Sequence, residues 1–245
     1  MNPEPNKPYI ISAVIIGLSF VLASSIAGFT FFQIRASDNA ITVTGSAKQA
    51  VTADSGKWRA TITRTVYQSA LKSGYAQMDA DSKAVKAYLS SMGFEEADYT
   101  LSPVFMNENY GYNSNNSNLP KQYDLTETLT LSSKDTDKIT NVAKASASLA
   151  SSGILLSTQS LEYYYSKLPA LRVSLLSAAI KDAKARAEKL AGAGGAKVGK
   201  LRNATSGVVQ VTAPNSEDIS DYGQYDTSSI DKEVMITVKA SFALN

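Results

Sequence analysis

ITVTGSAKQAVTADSGKWRATITRTV, residues 41–66, decides the fold class. Ile41, Val43 and Ala47 alternate with Thr42, Thr44 and Ser46, the two-residue period of a strand with one buried face. Trp58, Ala60, Ile62 and Val66 keep the same period in the second half. Between the halves, TADSG at 52–56 has turn chemistry, so the two strands read as a β-hairpin. Strands joined by so short a connection pair antiparallel, because a parallel pair needs a crossover of a dozen or more residues. The class that follows is α+β, a mainly antiparallel sheet packed with about three helices, and not a doubly wound sheet.

Downstream the period switches. Leu71, Tyr75, Met78, Val85 and Leu89 recur at helical spacing, with Gly93 as a stop. A strand from Thr100 to Met106 precedes NENYGYNSNNSNLP (107–120), which is polar, Asn-rich and without period, and reads as a loop. Leu125, Glu127, Leu129 and Leu131 then alternate with threonines; Glu127 on the apolar side is expected near a sheet edge or an interface. Ser133 or Asp135 can cap a helix through Ile139, Val142, Ala145 and Leu149, closed by Gly153. Residues 154–165 are strand-like. Pro169 opens the longest helix, 169–191, with a stripe of Leu175, Ala179, Ala183, Ala187 and Leu190 and an Asp182/Arg186 pair on its wet face. The small alanines let that helix lie close on a sheet. Two strands end the chain, LRNATSGVVQVTAP (201–214) and KEVMITVKASF (232–242), the second with Val234, Ile236, Val238, Ala240 and Phe242 in alternation. The element order is ββαββαβαββ.

Upstream lies IISAVIIGLSFVLASSIAGFTFF, residues 10–32, without a charge. A bilayer core of about 30 Å needs roughly 20 helical residues, so this run is long enough to span it. Lys7 and Arg35 bracket the run, with Tyr9 and Phe32 at interfacial positions. Ser25 and Ala27 also have the spacing of a signal-peptide cleavage site, but cutting there would leave GFTFF as an apolar start. The organisation read from this is a tail at 1–9, a transmembrane anchor at 10–32 and an extracytoplasmic domain at 40–245. A short polar head before one span is the pattern of an N-in, C-out protein, although the flanking charge is nearly even.

Composition narrows the chemistry. The 245 residues hold 24 Lys and Arg against 22 Asp and Glu; without Glu4, Lys7 and Arg35 the balance is 22 to 21. Such evenness gives no field to attract nucleic acid, and none is expected as a partner. There is no Cys and no His. Thiolate and Ser-His-Asp nucleophiles, Cys-ligated metals and most zinc chemistry are therefore excluded.

The remaining features each have a plainer reading. Glu217, Asp218, Asp221, Asp226 and Asp231 crowd one connection, but at offsets unlike an EF-hand, so a solvated loop is expected. GAGGAKVGK (192–200) lacks the order of a phosphate loop and follows a helix, so it reads as a helix stop. Lys121, Lys167 and Lys200 have no neighbours that argue for a catalytic amine, and the sequons at Asn115 and Asn203 are chance-level. Tyr163, Tyr164 and Tyr165 must send rings to both faces of a strand, which suits an interface or an ordinary two-sided strand. No catalytic, cofactor-binding or metal-binding residues are assigned.

Three stretches carry a family resemblance: ITVTGSAKQAVTAD (41–54), ALRVSLLSAAIKDAKARAEKLAGAGGAKVGKLRNATSG (170–207) and DYGQYDTSSIDKEVMITVKASF (221–242). Together they resemble the SIMPL-domain family of bacterial envelope proteins, a domain of unknown function; QYDLTETLTL (122–131) departs from the family pattern. The resemblance implies an N-terminal signal or anchor at the inner membrane, a periplasmic α+β domain and large ring- or channel-like homo-oligomers. It also implies a role in envelope integrity or oxidative stress, with no catalytic residues to carry over. A non-enzymatic, membrane-anchored assembly protein is the leading expectation, its partners being its own copies and the lipid bilayer through Ile10 to Phe32. A binding module for a small envelope ligand or partner protein, with pockets between the sheet and helix 169–191, is the alternative; a carboxylate-based hydrolase would need two carboxylates converging in a deep cleft.

Overall fold

The computed structural model describes residues 7–36, 39–109, 120–218 and 220–245. They form helices α1 (Lys7–Ala36), α2 (Leu71–Ser91), α3 (Thr136–Ala145), the single turn α4 (Ser148–Ser151) and α5 (Leu168–Ala193). The strands are β1 (Ala40–Thr52), β2 (Ser55–Tyr67), β3 (Tyr99–Leu101), β4 (Phe105–Glu108), β5 (Gln122–Ser133), β6 (Leu156–Tyr164), β7 (Val198–Ser206), β8 (Gln210–Thr212), β9 (Gln224–Tyr225) and β10 (Asp231–Leu244). The α+β class stands. After α1 the order is ββαβββααβαββββ, richer than expected, because one expected strand near residue 100 is two, β3 and β4, and because β8 and β9 pair over only two or three residues. The described strands make two sheets instead of one.

Two compact units divide the chain: Met1–Ala47 with Leu176–Gly207 and Thr237–Asn245, and Lys48–Leu175 with Val208–Ile236. The second unit holds the sheet β3-β5-β2-β6, with β4 also on β5. Here β2 and β5 run antiparallel in full register from Gly56↔Ser133 to Tyr67↔Gln122. Alternation works as the sequence implies: Trp58, Ala60 and Ile62 on β2 and Leu125, Leu129 and Leu131 on β5 are fully buried. They share one core with Met78, Val85 and Leu89 of α2 and Ile139 and Val142 of α3. Each large aliphatic side chain so buried contributes about 1.5–3 kcal/mol. Tyr75, expected on the buried face of α2, is 42% exposed; Gly74 takes that position beneath Val66 and Leu125.

The expected hairpin does not form. β1 is the neighbour of β10 in one sheet, whereas β2 lies in the other. The turn's backbone explains it: Ala53 N–H donates to Ile230 O at 2.8 Å and Asp54 N–H to Tyr164 O at 2.9 Å. Distant segments satisfy both groups, so the chain passes from sheet to sheet instead of folding back. Glu127 is corrected too. It is 8% exposed on β5, an interior strand flanked by β2 and β3/β4, and not at an edge.

In the other unit β7 pairs antiparallel with the end of β10, from Val238↔Ser206 to Leu244↔Val198. LRNATSGVVQVTAP is thus two strands, since β8 pairs separately with Glu233–Met235. α5 buries Ala179, Ala183 and Ala187 of the expected stripe, but Ala191 continues it in place of Leu190, which is 59% exposed because it falls outside this four-residue spacing. The alanines bring α5 very near β1. A Cβ at Gly45 would stand 2.2 Å from Ala179 O and 2.4 Å from Ala183 N, so only glycine fits there. Beside it, Ser46 N–H donates to Asp182 Oδ2 at 2.8 Å, and Arg186 Nε holds the same carboxylate at 2.8 Å. Helix ends follow the sequence: Asp135 Oδ1 caps α3 by accepting from Lys138 N–H at 2.8 Å, and Gly93, Gly153 and Gly195 take φ of 79°, 76° and 76° after their helices. The helix expected through Leu149 breaks after Ala145 into α4.

α1 continues through the whole apolar run. Tyr9–Phe32, 24 residues, is long and apolar enough to cross a membrane, and none of it is buried by the protein. Ser19 and Ser25 donate their hydroxyls back to Ile15 O (2.9 Å) and Val21 O (2.8 Å), so the helix satisfies these polar groups itself.

Candidate functional site

The most enclosed charge among the described residues is Lys232, at the start of β10, with no solvent exposure. Its Nζ donates to Asp226 O at 2.5 Å and Ser229 O at 2.6 Å, and stands 3.8 Å from Asp226 Oδ2 and 5.9 Å from the centre of the Tyr225 ring. Asp226 accepts from Ser228 N–H (2.9 Å) and Oγ–H (2.7 Å), and from the Ser229 hydroxyl. Burial alone would raise the Asp226 pKa, but those serine donors and the Lys232 charge outweigh it and hold the carboxyl well below the usual range. Burial pushes the Lys232 ammonium below its ordinary value, opposed by Asp226. A fully enclosed ammonium that bonds two carbonyls of its own loop is a clamp on that loop, out of reach of a substrate. The sequence carried a signal for it, since Lys232 is in phase with Val234 and Ile236 on the buried side of the strand.

The acidic connection therefore does not behave as one group. Asp226 is folded against Lys232, and Asp231 Oδ1 accepts from Thr52 Oγ1 at 3.0 Å. Glu217, Asp218 and Asp221 stay exposed. Among the described residues no three acidic side chains converge as metal ligands. Asn115 lies outside the described residues, and Asn203 is exposed on β7.

A second buried polar cluster lies under α2. Arg64 grips Asp81 with both forks, Nε to Oδ2 at 2.6 Å and a terminal nitrogen to Oδ1 at 2.8 Å, and also donates to Gly153 O at 3.2 Å. The next residue, Ser82, holds its hydroxyl within hydrogen-bond reach of both Met78 O and the Glu127 carboxylate. Glu127, which the sequence left unexplained, thus meets a donor on α2, while Asp81 of α2 meets Arg64 of β2, and neither carboxylate lines the cleft or the groove described next.

Among the described residues, two concavities of about 700 Å³ can each hold a ligand. A cleft of about 720 Å³ in the second unit is lined by Ser55, Lys57, Ser132, Ser133, Lys134 and Lys138, with Phe94 and Tyr164 as apolar walls and Asp98 and Asp135 at its margin. Lys138 Nζ is engaged there, donating to Gly93 O at 2.5 Å and standing 4.2 Å above the Phe94 ring. A groove of about 700 Å³ in the other unit runs between α5 and the sheet, as expected, with Ile180, Leu201, Phe242 and Ala243 as its apolar lining and Lys184, Lys200 and Arg202 among its polar residues. Of the three lysines weighed from sequence, Lys200 reaches this groove, Lys121 pairs with Glu108 at 3.1 Å, and Lys167 is exposed before α5.

The tyrosines divide as a two-sided strand requires. Tyr163 is buried, its hydroxyl 2.6 Å from Thr140 Oγ1. Tyr164 donates to Glu162 Oε2 at 2.7 Å and its ring lies 6.1 Å from that of Tyr225. Tyr225 in turn accepts from Tyr165 N–H at 3.1 Å, so the chain itself partly covers this cluster.

Comparison with protein families gives one finding. The model of the SIMPL family, described as a protein of unknown function (DUF541), matches residues 41–242. That span takes in the second unit whole and the first unit from residue 41 to 242, and the chain belongs to this family. Comparison with curated proteins gives no match.

Proposed function

We propose that this member of the SIMPL family is a single-pass membrane protein whose folded part, residues 40–245, stands outside the cytoplasm and joins copies of itself into a ring- or channel-like assembly. The observation that carries the reading is Tyr9–Phe32, an uncharged helix that no part of the protein covers. Burying it in lipid removes more than a dozen large apolar side chains from water, each worth about 1.5–3 kcal/mol. In this reading the chain performs no reaction. Its buried ionic groups, Lys232/Asp226 and Arg64/Asp81, hold loops and helices in place, and the assembly serves envelope integrity or the response to oxidative stress.

Fractionation tests the anchor. The chain should stay with membranes through alkaline carbonate and leave only with detergent, at its full mass of 26.1 kDa. Recovery of a carbonate-soluble chain beginning at Gly28 would refute it. A second reading is favoured by the groove between α5 and the sheet: an apolar lining with Lys184 and Lys200 suits an amphipathic anion, and native mass spectrometry of a monomer retaining one would support a binding module instead.

A further inference from the structure

Charge is segregated along the folded part in a way the net value of +2 conceals. Residues 181–202 carry seven Lys and Arg against two acidic residues, whereas residues 203–225 carry Glu217, Asp218 and Asp221, all exposed, and no Lys or Arg. β7, which begins in the first segment, pairs only with β10 among the described strands and is exposed from Lys200 to Ser206. It borders the groove whose apolar lining includes Ile180, Leu201 and Phe242 beside Lys184 and Lys200. In the second, Tyr222 is 97% exposed, flanked by Asp221 and close in sequence to the exposed Asp218 and Glu217.

From this complementarity we infer that the acidic connection of one copy, with Tyr222 as its anchor, docks in the basic groove beside β7 of a second copy. The inference rests on the assembly proposed above and names its contact. A stiff aromatic ring inserted in an apolar pocket, with charges of opposite sign around it, is the usual composition of a dominant interface residue. Knob and groove are different patches, so every copy bound through its knob still offers its groove. Such a head-to-tail contact propagates, and closes as a ring when the rotation per subunit allows.

Cross-linking on the full-length protein in detergent tests this cleanly, because the chain has no cysteine. The double variant Asp218→Cys with Asn203→Cys, exposed sites beside the knob and the groove that leave Tyr222 and Leu201 in place, should give a covalent ladder beyond dimer under a bis-maleimide. Either single variant should stop at dimer or below. Asp221→Lys or Lys200→Glu alone should weaken self-association by about tenfold, and the two together should restore it. A multi-subunit mass without the ladder would place the interface elsewhere and overturn the inference while leaving the assembly intact. A link formed only within one chain, or a groove occupied by a different protein, would overturn it as well. A monomeric mass for the parent protein would remove the assembly and this contact together.

Discussion

Gly45→Ala puts one methyl group where α5 meets β1. The added Cβ would lie 2.2 Å from Ala179 O, 2.4 Å from Ala183 N and 2.7 Å from Ala183 Cβ, against an ordinary contact of 3.4–4 Å. Two of the three neighbours are helix backbone, which cannot rotate aside, so the helix must retreat by about 1 Å or more. Overpacking a well-filled site costs about 1–3 kcal/mol, and more where backbone has to move. Retreat also stretches the 2.8 Å hydrogen bond from Ser46 N–H to Asp182. We therefore expect a loss of at least about 3 kcal/mol, which lowers the midpoint of thermal unfolding by about 6–12 °C in a chain of this size. Circular dichroism of the full-length protein in detergent reads it. Ala183→Gly should not rescue the variant, because Ala179 O remains. As a control, Gly192→Ala meets open space on the same helix and should be stabilising by about 0.5–1 kcal/mol. A Gly45→Ala midpoint within about 2 °C of the parent would refute the close approach of α5 to β1.

Other perturbations have equally definite outcomes. Arg64→Met leaves Asp81, 5% exposed, without its bidentate partner and should cost about 3 kcal/mol in urea unfolding; a loss below about 1 kcal/mol would show that Asp81 is not confined as described. Asp54, Asp182 and Asp226 all have carboxyl pKa values held below the ordinary 3.8, chiefly by hydrogen bonds that outweigh any burial. The stabilisation they give is complete above that value and is lost as pH falls below about 4, so Asp226→Asn should flatten the acid limb of a stability–pH curve without changing its shape from pH 6 to 8. Lys232→Met strips the donor from two carbonyls and should speed hydrogen exchange over residues 226–231 before it affects β2 or β5. Val21→Arg, near the middle of Tyr9–Phe32, adds about 2.5–3.5 kcal/mol to membrane insertion, too little to offset the rest of the apolar run, so the chain should stay carbonate-resistant; its release would show that α1 is not a span.

Local periodicity made much of this fold legible. The alternation of Val234 to Phe242, the alanine stripe of α5, the Asp135 cap and the glycine helix stops all follow from interactions within a few residues, and each stands in the structure. What escaped is non-local. TADSG looks like a hairpin turn, but its two amides are taken by Tyr164 and Ile230, more than 100 residues away. Gly207 to Val209 separates β7 from β8 because β10 pairs them one after the other, a fact written in β10. Glu127 looked misplaced until Ser82 on α2 supplied its donor. Lys232 was in phase with its buried neighbours, yet a lysine there makes sense only with the carbonyls of Asp226 and Ser229 folded over it. The groove is a similar case: Lys200 and Arg202 read as ordinary surface charges until α5 and β10 set Ile180 and Phe242 beside them.

Light scattering coupled to size exclusion, on the full-length protein extracted in mild detergent at micromolar concentration, bears most directly on the assembly. The expected result is one sharp species whose protein mass, after subtraction of detergent, is an integer multiple of 26.1 kDa greater than one and independent of loading. A protein mass of 26.1 kDa at every concentration tested would contradict it.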